Sequence, residues 1–254
     1  MVEDNALNRA VAKLHVESLG LVEVASLANG QLGYEYLASR SGAGIDVVLM
    51  DLQMPVMTGL QATAAIRAAP WGKDIPIIAM TAAVFDADRE AIRQVGMDGV
   101  VAKPIDITKL AEMLVQHVHV DELVDDPAQP QSAKGGVRQL EGFDLEPLHL
   151  LLTDQPGELD DLLIVFGRDL LLLQAQWQQA IAERDVTRME AFAHTLAGTA
   201  GSMGAVQTGQ AARALYEALH LTGVAPAALQ QACLAELQAN LRVLKAQGLL
   251  RPGD

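Results

Sequence analysis

The sequence predicts a doubly wound α/β domain built on a parallel sheet, followed by an all-α antiparallel helical bundle. Three observations carry this expectation. Over residues 1–119 short apolar runs of strand length alternate with amphipathic helical stretches. Over 120–140 that pattern gives way to Asp121, Glu122, Asp125, Asp126, Pro127, Pro130, Gly135 and Gly136, the composition of a linker. Over 141–254 only helical periodicity remains, with short connections between helices. A chain of 254 residues is long enough for two such domains, each with its own core.

In the first domain Met1-Val2 leads straight into the acids Glu3 and Asp4. Asn5 then stands as an N-cap for a helix with Leu7, Val11 and Leu14 on one face. Val22–Ala25 is a strand candidate, and 30–39 a helix. Ile45–Met50 is a strand candidate whose apolar run Val47–Met50 ends in Asp51, as expected of a strand buried on both faces. A helix over 59–69 stops near Pro70. Ile75–Thr81 is a second buried strand, and 86–95 a charged helix closed by Gly96. Gly99–Pro104 is a last strand carrying Lys103, and Ile107, Leu110, Leu114 and Val118 mark the final helix. Three successive strands therefore end in Asp51, Thr81 and Lys103, on the sheet edge where open α/β folds bind ligands.

The same edge would receive Glu3 and Asp4. Three carboxylates ionised at pH 7 repel one another, and a hard divalent cation relieves the repulsion. A few carboxylates completed by water and a phosphoryl oxygen suit Mg²⁺. Beside such a cation Asp51 can attack phosphorus, as carboxylates do when they form aspartyl phosphates. Lys103 adds a second positive charge, and the Thr81 hydroxyl can donate to a phosphoryl oxygen. Each residue has an ordinary alternative: a capping cluster, a strand end, a surface charge. The conjunction of all five is what points to chemistry.

In the second domain helices are expected over roughly 158–184, 186–203, 207–220 and 225–247. On a helical wheel Met189, Phe192, Ala193, Leu196, Ala200 and Met203 form one apolar stripe. His194 lies about 160° from its centre and is expected to face solvent. Thr187, Ala191, Ala197, Gly198 and Gly201 surround it on the wheel, with Glu190 as the only charge. Small residues beside an exposed imidazole leave room for another protein's active site, and the ring's near-neutral pKa suits a nucleophile. Helical glycine costs roughly 1 kcal/mol relative to alanine, so Gly198 and Gly201 call for a reason.

Composition removes several classes. The formal net charge of −14, spread over both halves with no basic patch, argues against direct nucleic-acid binding. The single cysteine, Cys233, excludes an internal disulfide framework and a thiolate zinc cluster, and suits a reducing compartment. The longest apolar runs fall far short of the roughly 20 residues that span a bilayer, and the acidic start is unlike a signal peptide. A cytoplasmic chain is the expectation.

Residues 1–119 resemble a response-regulator receiver domain of two-component signalling. Val2–Arg9, Leu49–Gly59, Ile77–Ala82 and Ala102–Pro104 carry the resemblance, in wording similar to receivers attached to hybrid histidine kinases. It implies the flavodoxin-like strand order 2-1-3-4-5, Asp51 as phosphoacceptor, Glu3, Asp4 and Asp51 as Mg²⁺ ligands, and Thr81 and Lys103 as readers of the phosphoryl group. Two positions depart. Only Met1 and Val2 precede Glu3, whereas a strand typically has about 5–6 residues. The first strand is therefore expected to be truncated, and the chain to be a piece of a longer protein. Val100 stands where many receivers carry an aromatic switch residue.

Residues 141–254 are similar to a histidine phosphotransfer domain. His194-Thr195-Leu196-Ala197-Gly198, then Ala200-Gly201 and Gly204-Ala205, match its phosphohistidine helix, and Gly142-Phe143-Asp144 resembles its lead-in. Ala197 stands where the family commonly has a lysine, and losing that cation should slow transfer. The implied function is a phosphorelay within the C-terminal part of a hybrid sensor kinase. Asp51 is charged by an upstream kinase domain and exchanges with His194, which serves a downstream response regulator. A homodimer through the parent kinase is a further expectation. Nothing resembles a nucleotide-binding kinase core, so the segment is not expected to use ATP. Two rivals remain at this point. One is a degenerate scaffold without transfer. The other is an aspartyl-phosphate hydrolase, which needs a second acid two residues after the nucleophile, where this chain has Gln53.

Overall fold

A computed structural model describes residues 1–20, 24–82, 86–117, 138–152 and 157–251. The chain divides into two compact units, Met1–Gln129 and Pro130–Asp254. The first contains α1 (Ala6–Ser18), α2 (Gly30–Ser39), β1 (Val48–Asp51), α3 (Gly59–Ala68), β2 (Ile77–Thr81), α4 (Asp86–Gln94), β3 (Gly99–Ala102) and α5 (Ile107–His117). The second contains α6 (Glu146–Leu151), α7 (Glu158–Glu183), α8 (Val186–Ser202), α9 (Val206–Thr222) and α10 (Ala227–Ala246).

β1, β2 and β3 pair in parallel in that order. Val2 extends the sheet on the other side, bridging in parallel to both Met50 and Leu27. Counting the segments at Val2 and Leu27 as reduced strands, the order is 2-1-3-4-5, a doubly wound flavodoxin-like sheet. Four backbone bonds hold the short segment. Val2 donates to Leu49 O at 2.8 Å, Asp51 to Val2 O at 2.9 Å, and Glu3 to Leu27 O and Leu27 to Met1 O at 3.0 Å each. The strand candidate at Val22–Ala25 falls partly outside the described residues; pairing on that side is at Leu27 instead.

Both sheet faces are covered, which is why these strands read as continuous apolar runs. Successive side chains point to opposite faces. Val48, Met50, Ile77 and Ala79 pack with Leu37, Ala62 and Ile66 of α2 and α3. Leu49, Ile78 and Met80 pack with Val16, Leu110 and Leu114 of α1 and α5. Helix starts follow local chemistry. The Asn5 side chain accepts from the Asn8 N–H at 2.9 Å, and Thr58 and Gln61 form a capping box at α3.

In the second unit, α7 to α10 are joined by two to four residues each, connections that return the chain antiparallel. Trp177 of α7 is fully buried, its ring centroid 4.7 Å from that of Phe192 on α8. A buried side-chain hydrogen bond from Thr208 to Asn240 ties α9 to α10. The short α6 was not among the sequence expectations; its Glu146-Pro147 start is followed by too few turns for a periodic signal. Among the described residues no helix is long and apolar enough to cross a membrane.

Candidate functional site

Asp51 ends β1 at the sheet's C-terminal edge and is 1% exposed. Register places it opposite Met80, one residue short of Thr81, which itself lies opposite Ala102. The buried Thr81 and Lys103 thus reach the same edge from adjacent strands, and the Lys103 N–H donates to Thr81 O at 2.7 Å. The Lys103 ammonium donates to Glu3 Oε2 at 2.6 Å and pairs with Asp51 Oδ2 at 2.8 Å. Glu3 is as buried as Asp51, whereas Asp4 is exposed. Carboxylate oxygens of Glu3, Asp4 and Asp51 all lie within 4.8 Å of one another. All five residues expected at this edge are therefore brought together there.

The electrostatics follow from burial. Loss of solvent pushes the Glu3 carboxyl up to about 7, opposed by Lys103 and reinforced by the Asp51 charge. Burial likewise raises Asp51, again against Lys103, with Asp4 adding to the rise. Asp4 is raised by desolvation and by Glu3. Burial alone would lower the Lys103 ammonium, but the Asp51 and Glu3 carboxylates outweigh it and hold it above its usual value. One lysine thus serves three crowded carboxyls. Their all-oxygen donor set fits a hard divalent cation, which would return them to the ionised form.

Two supporting residues escaped the sequence reading of this edge. Asn8 Nδ2 donates to Glu3 Oε1 at 3.3 Å, and Arg9 Nη1 donates to Glu3 O at 2.6 Å and to Asp4 O at 2.9 Å. Their signal was available: both sit in the first turn of α1, directly after the acid pair, where side chains can reach back over the chain that precedes the helix. Gly59 is a third. A Cβ there would stand 2.1 Å from Asp51 O, so only glycine lets α3 start against the backbone of the acid.

His194 requires a correction. The residues of the expected apolar stripe are buried, but His194 is buried too, at 6% exposure, together with Ala197, Gly198 and Thr199. The wheel located one packed face, whereas α8 is covered on a second by α9. The small residues serve that second contact. A Cβ on Gly209 of α9 would stand 3.3 Å from Gly201 N and 3.6 Å from Ala197 O, a spacing that leaves little room for larger side chains. Tyr216 of α9 covers the imidazole, with ring centroids 5.1 Å apart and planes at 67°. Nδ1 of His194 lies in the buried part of the ring.

Comparisons with known proteins separate the same two units. Residues 1–115 match the family described as response regulator receiver domain, and residues 161–247 match the Hpt domain. The chain is 36% identical over 117 residues to the two-component response regulator ORR41 of Oryza sativa subsp. japonica, covering 46% of this chain and 90% of that protein. It is 35% identical over 120 residues to the sensor protein GacS of Pseudomonas syringae pv. syringae, covering 45% of this chain and 13% of that one. A hybrid signal transduction histidine kinase of Dictyostelium discoideum is 35% identical over 117 residues, a stretch that spans only 7% of its length. Among solved structures, the receiver domain of the sensor histidine kinase PA1611 from Pseudomonas aeruginosa is 37% identical. That match covers 46% of this chain and 92% of the receiver, with a TM-score of 0.41.

Proposed function

We propose a phosphorelay role for this chain, which belongs to the response-regulator receiver family over residues 1–115 and carries an Hpt domain over residues 161–247. The receiver extends over 1–119, a linker over 120–140 and the phosphotransfer bundle over 141–254. The phosphoryl donor is a histidine kinase domain of the parent protein, the final acceptor is a separate response regulator, and the segment works in the cytoplasm.

In the receiver, a carboxylate oxygen of Asp51 attacks the phosphorus of a phosphohistidine, and the P–N bond breaks as the O–P bond forms. Lys103 offsets charge on the incoming group, and Thr81 donates a hydrogen bond to a phosphoryl oxygen. Glu3, Asp4 and Asp51 would hold Mg²⁺, whose positive charge supports negative charge gathering on the phosphoryl oxygens. Arg9 fixes the backbone that carries the two acids. In the second step the His194 imidazole takes the group from Asp51. With Nδ1 buried, Nε2 is assigned as the accepting nitrogen.

The observation that carries this reading is the meeting of Glu3, Asp51 and Lys103 within 2.6–2.8 Å at one sheet edge, in a chain that continues into an Hpt domain. A small acyl phosphate with Mg²⁺ should label the chain at Asp51, with the label lost in Asp51→Asn. Label persisting in that variant would count against Asp51. One observation favours a second reading, a scaffold that binds partners without transfer: His194 is almost covered. That reading requires the bundle to stay unlabelled.

A further inference from the structure

His194 and Glu190 stand one turn apart on α8, and Tyr216 and His220 one turn apart on α9. Each pair faces the other across the interface. The His194 and Tyr216 rings meet at 5.1 Å, and Glu190 Oε1 lies 2.7 Å from His220 Nδ1. The ring of Tyr216 also packs against that of His220, at 5.5 Å and 35°. The four side chains therefore close a two-rung ladder with His194 at one corner.

We propose that Tyr216, held by the Glu190–His220 pair, is a positioning residue that sets the orientation of the His194 imidazole for phosphoryl acceptance. The inference rests on the assignment of His194 as a phosphoryl acceptor. An imidazole is a productive nucleophile in few of the orientations open to its ring, because the accepting lone pair must point at phosphorus along the line of the departing bond. On α8 the residues beside His194 are the small Ala197, Gly198 and Gly201 and, one turn before it, Glu190, whose carboxylate is engaged with His220. The constraint comes from α9. Tyr216 is 2% exposed, and its ring meets the imidazole edge to face, an arrangement that disfavours free rotation.

The Glu190–His220 rung accounts for the position of Tyr216 itself. Its side chains are 28% and 30% exposed, so as a partly solvated pair at the rim it adds little to stability. As a latch one turn away it fixes the sliding of α9 along α8, and with it the placement of the tyrosine ring over the histidine.

The test uses the full chain carrying Asp51→Asn, so that label lodges only on imidazole. Phosphoramidate is the donor: its P–N bond breaks and ammonia leaves as the new bond to the ring nitrogen forms. Relative to that parent, Tyr216→Leu should slow labelling of His194 about tenfold, while Tyr216→Phe, which keeps the ring, should stay within about twofold. Glu190→Gln and His220→Gln should each slow it about threefold to tenfold without lowering the melting temperature, and the double variant should be no slower than the slower single one. In the slowed variants the ¹⁵N resonances of the His194 ring should broaden or shift, which a purely structural role for the rim pair would not cause. Parent-like rates in Tyr216→Leu, Glu190→Gln and His220→Gln, with labelling still lost in His194→Gln, would overturn the positioning role and leave the acceptor assignment standing. Label undiminished in His194→Gln would overturn the assignment itself.

Discussion

Asp51 and His194 are buried to nearly the same depth, yet the groups around them have little in common. Asp51 sits where four separated segments deliver charged or polar groups: Glu3 and Asp4 before α1, Asp51 from β1, Thr81 from β2 and Lys103 after β3. His194 sits on one helix among small residues and beneath an aromatic ring, with the Glu190–His220 pair at the rim. On the proposed function, the difference reflects what each acceptor would need. A carboxylate is a weak nucleophile toward an anionic phosphoryl group, so its site must gather cationic charge in a poorly solvated space. A neutral imidazole carries its nucleophilic lone pair without such help, so its site mainly has to hold the ring.

The largest expected break in this comparison is Lys103→Met. It should lower acyl-phosphate labelling of Asp51 by about 10²–10³-fold, the cost of losing one preorganised electrostatic partner. It should also destabilise the first unit by about 3–5 kcal/mol at pH 8 without metal, because two buried carboxyls lose their shared partner. Phosphoramidate labelling of His194 should not change; an equal fall at both sites would show that the two depend on common features.

The reciprocal test is Gly209→Ala, whose Cβ would stand 3.3 Å from Gly201 N. It should cost the bundle about 1–3 kcal/mol in urea unfolding and slow the labelling of His194 while leaving that of Asp51 intact. Unchanged His194 labelling despite a measured loss of stability would mean that the close α8–α9 approach is structural only.

The smallest effect is a pH dependence confined to the first unit. The Glu3 carboxyl is raised in the folded state from its usual 4.5 to about 7, and Asp51 is raised in the same direction. A raised carboxyl contributes stability that is fully present below the unfolded value and is lost as pH rises through the folded one. Without divalent cation the first unit should therefore be less stable at pH 8 than at pH 5, and millimolar Mg²⁺ should recover the loss at pH 8. Trp71 fluorescence in a Trp177→Phe variant reports this unit alone, since the chain has two tryptophans. A midpoint independent of pH and Mg²⁺ would contradict the crowding of the three carboxyls.

The two sites also differ in how far they were legible in the sequence. A buried parallel strand has a direction and an end, so an apolar run that stops at Asp51, another that stops at Thr81 and a third that leads into Lys103 place three side chains on one edge before any contact is known. Glu3 and Asp4 followed from the same topology. What strand logic could not supply was the support, because Asn8 and Arg9 lie in the first turn of α1 and reach back to Glu3 and Asp4 through local side-chain bonds that belong to helix entry and carry no strand signal. For α8 a wheel gave the angle of His194 correctly, but an angle does not say how many neighbours a helix has. The glycines read as room for a visiting protein allow α9 to close in, and Tyr216 lies 22 positions from His194, too far along the chain for local periodicity to connect them. The same limit hid α6, whose six residues hold too few turns to show a period.

On the proposed function, one phosphoryl group passes from Asp51 to His194. Aspartyl phosphate is lost in base, whereas phosphoimidazole survives it, so the full chain can be labelled with acyl phosphate and Mg²⁺, freed of donor and quenched in base over time. If this transfer occurs, base-stable label grows in the unaltered chain, is absent in Asp51→Asn because nothing is loaded, and is absent in His194→Gln although Asp51 is loaded. Base-stable label of equal yield in His194→Gln, or none in a chain whose Asp51 is fully charged, would contradict it.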